Sequence, residues 1–528
     1  MSFLIPAAII FLISLFTFYP SFSLGLFGDD WLELWMYMHY FGPQATPGIT
    51  NPFSYFLSGY GPYGTTMALI YKFFGQNHSV YYLFSYIFRL SAAFAIWPLV
   101  NYLTGSKLAA FYGSLFLSIT FIGLQTTDWT FNLTSYLAIA NLSLFLYFFI
   151  KSRQEVNRKL FIYSAICFYL AHIFAPIRMT GLFPFTIILE IFLYFKSKNI
   201  KLTFLRLSVI FVIFIIITTT GSNSRTNTTK ILGGGLTSIR NGISTSVSLI
   251  EQNKFKFLLN PIIMIGEMII PDSYFSGVSN KNNVRLVLGF FILIFSAYLI
   301  KFNRESKLSV VFFISTFWIV LSFIINWFRD PEVLFPTEYR YFIPTAVGFT
   351  IFLSGIIGLG KTHKIRVNLF MVLSIILILQ LIATRNYLDD NINVHGGQAI
   401  DKIWSNFPHF TDLGTPDQPL VFYFKSTPQK ERLRYSGIQF GLPYHMALLY
   451  KVFDEQAFYK MPIALGDNEW PDVVSAVTDG KSLVSRGHPE KRIPISNVYS
   501  FYLDDNNNLH DITKEARQKL MDLTAGKE

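Results

Sequence analysis

Charge is scarce in this sequence: Asp, Glu, Lys and Arg make up 14% of 528 residues, while 52% are hydrophobic and 18% aromatic. So few charged groups cannot cover a water-soluble globule of this size, which excludes a purely soluble chain and makes the bilayer its main solvent. The mean hydropathy of +0.40 agrees. Cysteine is almost missing. The single Cys167 lies in an apolar run, so an intramolecular disulfide and a cysteine-based zinc cage are both excluded. Internal repeats, low-complexity tracts and long blocks of like charge are also lacking. The net charge of +11 does not point to nucleic acid. Most of the surplus Lys and Arg sits in short clusters between apolar runs, where anchoring at the cytoplasmic face accounts for it.

A helix needs about 20 residues to cross about 30 Å of hydrocarbon. Eleven apolar runs meet or approach that length: Phe3 to Tyr19, Val80 to Leu103, Leu108 to Leu124, Thr134 to Ile150, Leu160 to Ile173, Thr180 to Phe195, Phe204 to Thr220, Val284 to Ile300, Leu308 to Ile325, Tyr341 to Leu359 and Val367 to Ala383. Basic residues fill every second connection, at Lys107, Lys151 to Lys159, Lys196 to Arg206, Lys301 to Lys307 and Lys361 to Arg366. The positive-inside rule puts these in the cytoplasm, the N-terminus inside and everything after Ala383 outside. The first run lacks the basic stretch that precedes a cleavable secretion signal and is expected to be a retained span.

The sequence therefore predicts an α-helical polytopic membrane protein with about eleven transmembrane helices over residues 1–385, in the cell membrane. A small extracytoplasmic α+β domain is expected over 386–528. In it, Leu420 to Phe424 reads as a buried strand, Val498 to Leu503 as a strand entering the turn Asp504 to Asn508, and Thr513 to Ala525 as a closing helix. Within the long outer stretch Gly221 to Asn283, the apolar segment Phe257 to Ile270 is too short to cross and reads as interfacial or re-entrant. Gly233-Gly-Gly235 in the same stretch reads as a hinge.

The outer loops collect the residues with chemical potential. Asp29 and Asp30 follow the first run directly, ahead of Trp31, Glu33 and Trp35. Two carboxylates held close in a low-dielectric cleft repel, which raises one toward the range of a general base unless a cation lies between them. An N-cap for an interfacial helix is the competing role, and the two are compatible. Asp128 sits in the next outer loop and could share a divalent cation, Mg or Mn, with Asp29, or orient an acceptor hydroxyl. Arg178, on the outer side where the positive-inside tendency gives no reason for it, could grip a phosphate or snorkel to headgroups. Glu338-Tyr339-Arg340-Tyr341-Phe342-Ile343-Pro344 opens the tenth run and could bind a phosphate and a sugar hydroxyl, or form an aromatic belt with an ion pair. Arg89, inside the second run, reads as structural with a partner the sequence does not identify.

The order and common sidedness of Asp29-Asp30, Asp128, Arg178 and the motif Arg340-Tyr341-Phe-Ile-Pro344 resemble the GT-C glycosyltransferases. The nearest subset is the bacterial protein-mannosyltransferase, aminoarabinose-transferase and rhizobial galacturonosyltransferase-like enzymes. The resemblance covers about residues 1–385, and no single motif in it is specific. It implies transfer of a hexosyl or pentosyl group from a polyprenyl-phosphate-linked sugar to a glycan, lipid or protein acceptor at the outer face. Asp29 or Asp30 would be the catalytic carboxylate, assisted by Asp128, with Glu33, Arg178, Glu338, Arg340 and Tyr341 binding substrate. A transporter or lipid-carrier flippase is the alternative. It should show internal halves and broken helices, and no half-to-half similarity is seen.

Overall fold

The structure is a computed structural model that describes residues 4–32, 34–35, 61–220, 231–275, 277–303, 306–327, 330–410, 415, 418, 420–449, 463–466, 474–476, 482–485 and 488–524. It is mostly helical. In chain order the helices are α1 (Leu4–Phe18), α2 (Gly61–Phe74), α3 (His78–Thr104), α4 (Lys107–Ile119), α5 (Thr134–Gln154), α6 (Arg158–Phe174), α7 (Leu182–Ser197), α8 (Ile200–Thr220), α9 (Ile231–Glu251), α10 (Asn260–Glu267), α11 (Lys281–Phe302), α12 (Lys307–Trp327), α13 (Ile343–Gly358), α14 (His363–His395), α15 (Gly397–Ser405), α16 (Leu442–Leu449) and α17 (Thr513–Thr524).

A helix falls on each of the eleven apolar runs, and among the described residues seven helical segments are long and apolar enough to cross a membrane. Their outward faces carry large apolar side chains, among them Phe211 and Val212 on α8, Val287 and Ile294 on α11, and Met371 and Ile375 on α14. An exposed apolar surface of that extent needs lipid against it, and the chain is an integral membrane protein. α13 is the opposite case, buried along nearly its whole length. It is the central post of the bundle. Its glycines let neighbours come close: a Cβ on Gly355 would meet Val311 Cγ1 at 2.6 Å, and one on Gly348 would meet the Ser315 carbonyl at 3.1 Å.

Local signals set the turns between helices. Ser106 and Thr362 cap α4 and α14, accepting the N–H groups of Ala109 at 3.2 Å and Ile365 at 3.3 Å. α3 ends on Gly105 in the left-handed region, φ 63°. The segment expected to be too short to cross forms α10, eight residues long, preceded by the 3₁₀ turn Phe255–Leu259. α10 lies directly on α11 because each presents a glycine: a Cβ on Gly266 would collide with the Arg285 carbonyl, and one on Gly289 with the Ile262 carbonyl. The run Gly233 to Gly235 is not a break in the chain. It lies inside α9, where the surrounding Ile231 to Glu251 continues the backbone hydrogen bonding through it.

α14 continues to His395, past the boundary expected at residue 385. Beyond it, among the described residues, seven strands form two sheets: β1 (Val421–Ser426), β2 (Ile463–Gly466), β3 (Val474–Ala476), β4 (Ser482–Ser485), β5 (His488–Pro494), β6 (Val498–Leu503) and β7 (Leu509–Asp511). The first sheet has order β2-β1-β6-β7, with β1 parallel to both β2 and β6 and β7 antiparallel to β6. The second is the antiparallel β3-β4-β5. β6 and α17 stand where the sequence places them, and Asp504 makes the turn by accepting the N–H groups of Asn506 and Asn508. This C-terminal unit shares one apolar core with the first loop: Leu26, Trp31, Leu34 and Trp35 pack with Ile400, Phe422, Leu442 and Met446. Trp31 stacks on His445 at 3.7 Å. Gly28, at φ 55°, lies under the Phe440 ring where a side chain would clash.

Candidate functional site

The two adjacent carboxylates have different surroundings. Asp30 is fully buried; its Oδ1 accepts the Phe131 N–H at 2.9 Å and its Oδ2 reaches back to the Phe27 N–H at 3.3 Å. The second contact has the geometry of a capping box, in which a side chain three residues into the helix returns to an orphan donor. Asp30 thus closes the first loop onto the second. Asp29 is half-buried and makes no hydrogen bond among the described residues; the charge it feels is that of Arg340. Burial raises the Asp29 carboxyl above its ordinary range and Arg340 pulls it back. Glu33 lies outside the described residues.

The second loop is brought to the first by α3, whose Tyr82 hydroxyl bonds the Gly25 carbonyl and the Asp128 carbonyl, each at 3.0 Å. Asp128 is buried and uses both carboxylate oxygens: Oδ1 with His395 Nε2 at 2.7 Å, and Oδ2 with the Tyr387 hydroxyl at 3.3 Å. His395 ends α14, lies with its ring tilted against Phe27 at 4.2 Å, and keeps a buried Nδ1 without a hydrogen-bond partner. An Mg or Mn ion between Asp29 and Asp128 would have to take Asp128 from His395 and Tyr387. No three His, Cys, Asp or Glu side chains gather as a metal cage among the described residues. Asp29 and Asp128 are the described carboxylates that would hold such an ion, which would neutralise charge on a bound phosphate.

The third component is the 337–342 segment. It lies along the second loop, with the Gly123 N–H donating to the Thr337 carbonyl at 2.7 Å and the Gln125 N–H to the Glu338 carbonyl at 2.9 Å. Gly123 needs to be glycine here: its φ is 69°, and a Cβ would lie 2.5 Å from the Ile343 nitrogen. The Arg340 guanidinium sits 4.2 Å over the Trp129 ring and 5.3 Å from the Tyr341 ring. Arg178 stands 5.1 Å from the same Tyr341 ring, held by Ser135 and Asn132. Neither arginine makes an ion pair among the described residues, and each keeps a buried Nε without a partner. Burial first, and then the Arg340 charge among lesser effects, lowers the Arg178 guanidinium to about 10. Two cations beside one ring with unused donors have the chemistry to receive an anion. Glu338 is pushed up to about 7 by burial and its Oε2 is also unpartnered.

No protein-family model and no characterised protein sequence matches this chain. Among solved structures, it is similar to archaeal oligosaccharyltransferase AglB from Archaeoglobus fulgidus in complex with an inhibitory peptide and a dolichol-phosphate. That match has 15% identity and a TM-score of 0.46, and covers 99% of this chain and 71% of that one. It is also similar to the Archaeoglobus fulgidus oligosaccharyltransferase in complex with Zn and sulfate, at 16% identity and a TM-score of 0.45, covering 87% of this chain and 62% of that one. The apo form of the latter gives 14% identity and a TM-score of 0.46, with 87% and 64% covered. This chain thus spans between 62% and 71% of the length of these neighbours. At such identities and scores, no chemistry carries over from them.

The fold brings Asp29, Asp128, Arg178, Arg340 and Tyr341 to one region through the loops that Asp30 and Tyr82 tie together. Sequence reasoning missed His395, Tyr387 and Trp129. It also missed Glu267, whose Oε1 accepts the Thr337 N–H at 3.0 Å and whose Oε2 lies 3.6 Å from Arg285, fixing the 337–342 segment from behind. A buried acid at the end of a short apolar segment was the one signal available for Glu267.

Asp30 makes a pH prediction. Burial pushes its carboxyl from 3.8 up to about 7 in the folded chain. The fold therefore favours the protonated form, and this contribution to stability is present below about pH 4 and lost as pH rises through about 7. Asp30→Asn cannot titrate, so the wild-type fall in thermal midpoint between about pH 4 and pH 7 is expected to flatten in the variant. Scanning fluorimetry in detergent measures it; an unchanged slope would assign the pH dependence to other groups.

Proposed function

We propose that this chain is a membrane glycosyltransferase that moves a sugar from a polyprenyl-phosphate donor to an acceptor at the outer membrane face, with inversion at the anomeric carbon. The observation that carries the reading is one half-exposed carboxylate, Asp29, under the influence of Arg340, in a region where Arg178 and Arg340 hold unused donors beside Tyr341. All eleven apolar helices would cross, with the basic connections inside and the C-terminal unit outside.

In the reaction, the acceptor heteroatom attacks the anomeric carbon as the bond from that carbon to the phosphate oxygen breaks. Asp29 takes the acceptor proton, for which a carboxylate raised by burial is suited. Arg178 and Arg340 hold the phosphate and stabilise the charge that builds on it as it leaves. Asp128, oriented by His395 and Tyr387, positions the acceptor side of the site, and Glu338 takes a sugar hydroxyl.

Lipid extracts from cells without the protein are expected to accumulate a polyprenyl-phosphate sugar, read by mass spectrometry and reversed by the wild-type chain. Purified protein in detergent is expected to transfer that sugar to acceptor. A transporter or flippase would give no transfer in detergent, and that outcome would sink the proposal.

A further inference from the structure

At the end of the bundle opposite this site, α1, α4 and α14 begin around a cleft of about 600 Å³. Its rim carries Lys107, His363 and Arg366, and among the described residues no carboxylate lines it. Its walls are apolar, built by Ile9, Trp97, Phe111 and Phe370, the last two stacked at 6.1 Å. We propose that this cleft binds one anionic diacyl phospholipid of the cytoplasmic leaflet, its phosphate among the three basic side chains and an acyl chain along the aromatic wall.

Three features select that occupant. The basic rim belongs to two connections, at Lys107 and at Lys361 to Arg366, that the charge pattern places on the cytoplasmic side, where anionic lipids are met by basic residues near the surface. The positive ends of α4 and α14 add to the potential at the rim. The wall is wide and apolar enough that a free phosphate would leave most of it unfilled. A larger cleft of about 740 Å³ between α6 and α8 has one basic residue, Arg158, over an equally apolar wall. It is a place for unselected bulk lipid, and so an internal comparison. This proposal does not depend on sugar transfer.

The test uses the full chain, delipidated in mild detergent and titrated with phosphatidylglycerol or with phosphatidylcholine of the same acyl chains, read by native mass spectrometry. One phosphatidylglycerol is expected to bind at least about tenfold more tightly than phosphatidylcholine. Lys107→Glu, at an exposed side chain, should erase the preference. Ile9→Trp, which fills the wall without changing charge, should weaken both lipids. Equal binding of the two lipids, or an unchanged preference in Lys107→Glu, overturns the proposal. So does displacement of the bound lipid by excess inorganic phosphate, or tighter binding of polyprenyl phosphate than of phosphatidylglycerol.

Discussion

Asp29→Asn is expected to lower sugar transfer about a thousandfold, the usual weight of a positioned proton acceptor, with membrane abundance and thermal midpoint unchanged. The expectation of an unchanged fold comes from what Asp29 does not do: it makes no hydrogen bond among the described residues and is half-exposed. Asp30→Asn should behave in the opposite way. An asparagine there has one accepting oxygen and must turn its amide N–H₂ to either Phe131 or Phe27, so one buried N–H loses its partner, at a cost of about 1–3 kcal/mol. Folded yield would fall and the activity of the surviving protein would be largely kept. Transfer assays normalised to folded protein, with the two variants side by side, decide the assignment. If Asp30→Asn loses transfer while Asp29→Asn keeps it, the catalytic carboxylate is the buried one and the mechanism proposed here fails.

That contrast marks how far the sequence could be read. Adjacent acids after an apolar run are legible as a candidate site, because carboxylates at a membrane boundary need a reason. Which of the two is tied into the fold was not legible, because it depends on the Phe131 N–H, a hundred residues away. The helices were readable for the same reason the membrane was: each long apolar run has to satisfy its own backbone hydrogen bonds. The strand Val498–Leu503 was readable from its turn. The partners of Asp128 were not, because His395 and Tyr387 lie at the far end of a helix that the hydropathy pattern lets go near residue 383. Nor does the spacing of glycines reveal that Gly266 and Gly289 allow α10 to lie against α11, bringing Glu267 to Thr337.

The partner of Arg89 was also hidden, and it gives the second large effect. A buried arginine in a helix suggests a carboxylate, yet among the described residues Arg89 has none within bonding distance. Its Nε donates to the Ser118 carbonyl at 2.9 Å and its Nη2 to the Thr120 carbonyl at 2.5 Å, while Nη1 bonds the Tyr136 hydroxyl at 2.8 Å and the Thr127 hydroxyl at 3.2 Å. The Phe18 ring covers the guanidinium at 4.1 Å. The two carbonyls are orphan acceptors at the end of α4, the negative pole of that helix, so Arg89 serves as its cap and needs no acid. The residues it grips lead straight to Asp128. Arg89→Met keeps the length of the side chain and removes every donor, leaving the Ser118 carbonyl with only the Ser14 hydroxyl at 3.4 Å and taking from the buried Thr120 carbonyl its Arg89 partner, at a cost of about 1–3 kcal/mol. A large drop in the thermal midpoint is therefore expected. Transfer by the remaining folded protein should fall at least about tenfold, since a loop displaced by an ångström misplaces Asp128 and Trp129. Arg89→Lys, which reaches one carbonyl, should fall between the two. A wild-type midpoint in Arg89→Met would mean that α4 ends securely without its cap, and the second loop would then owe its position to Gln380, which accepts from Thr120 and Phe121 and donates to the Met268 carbonyl.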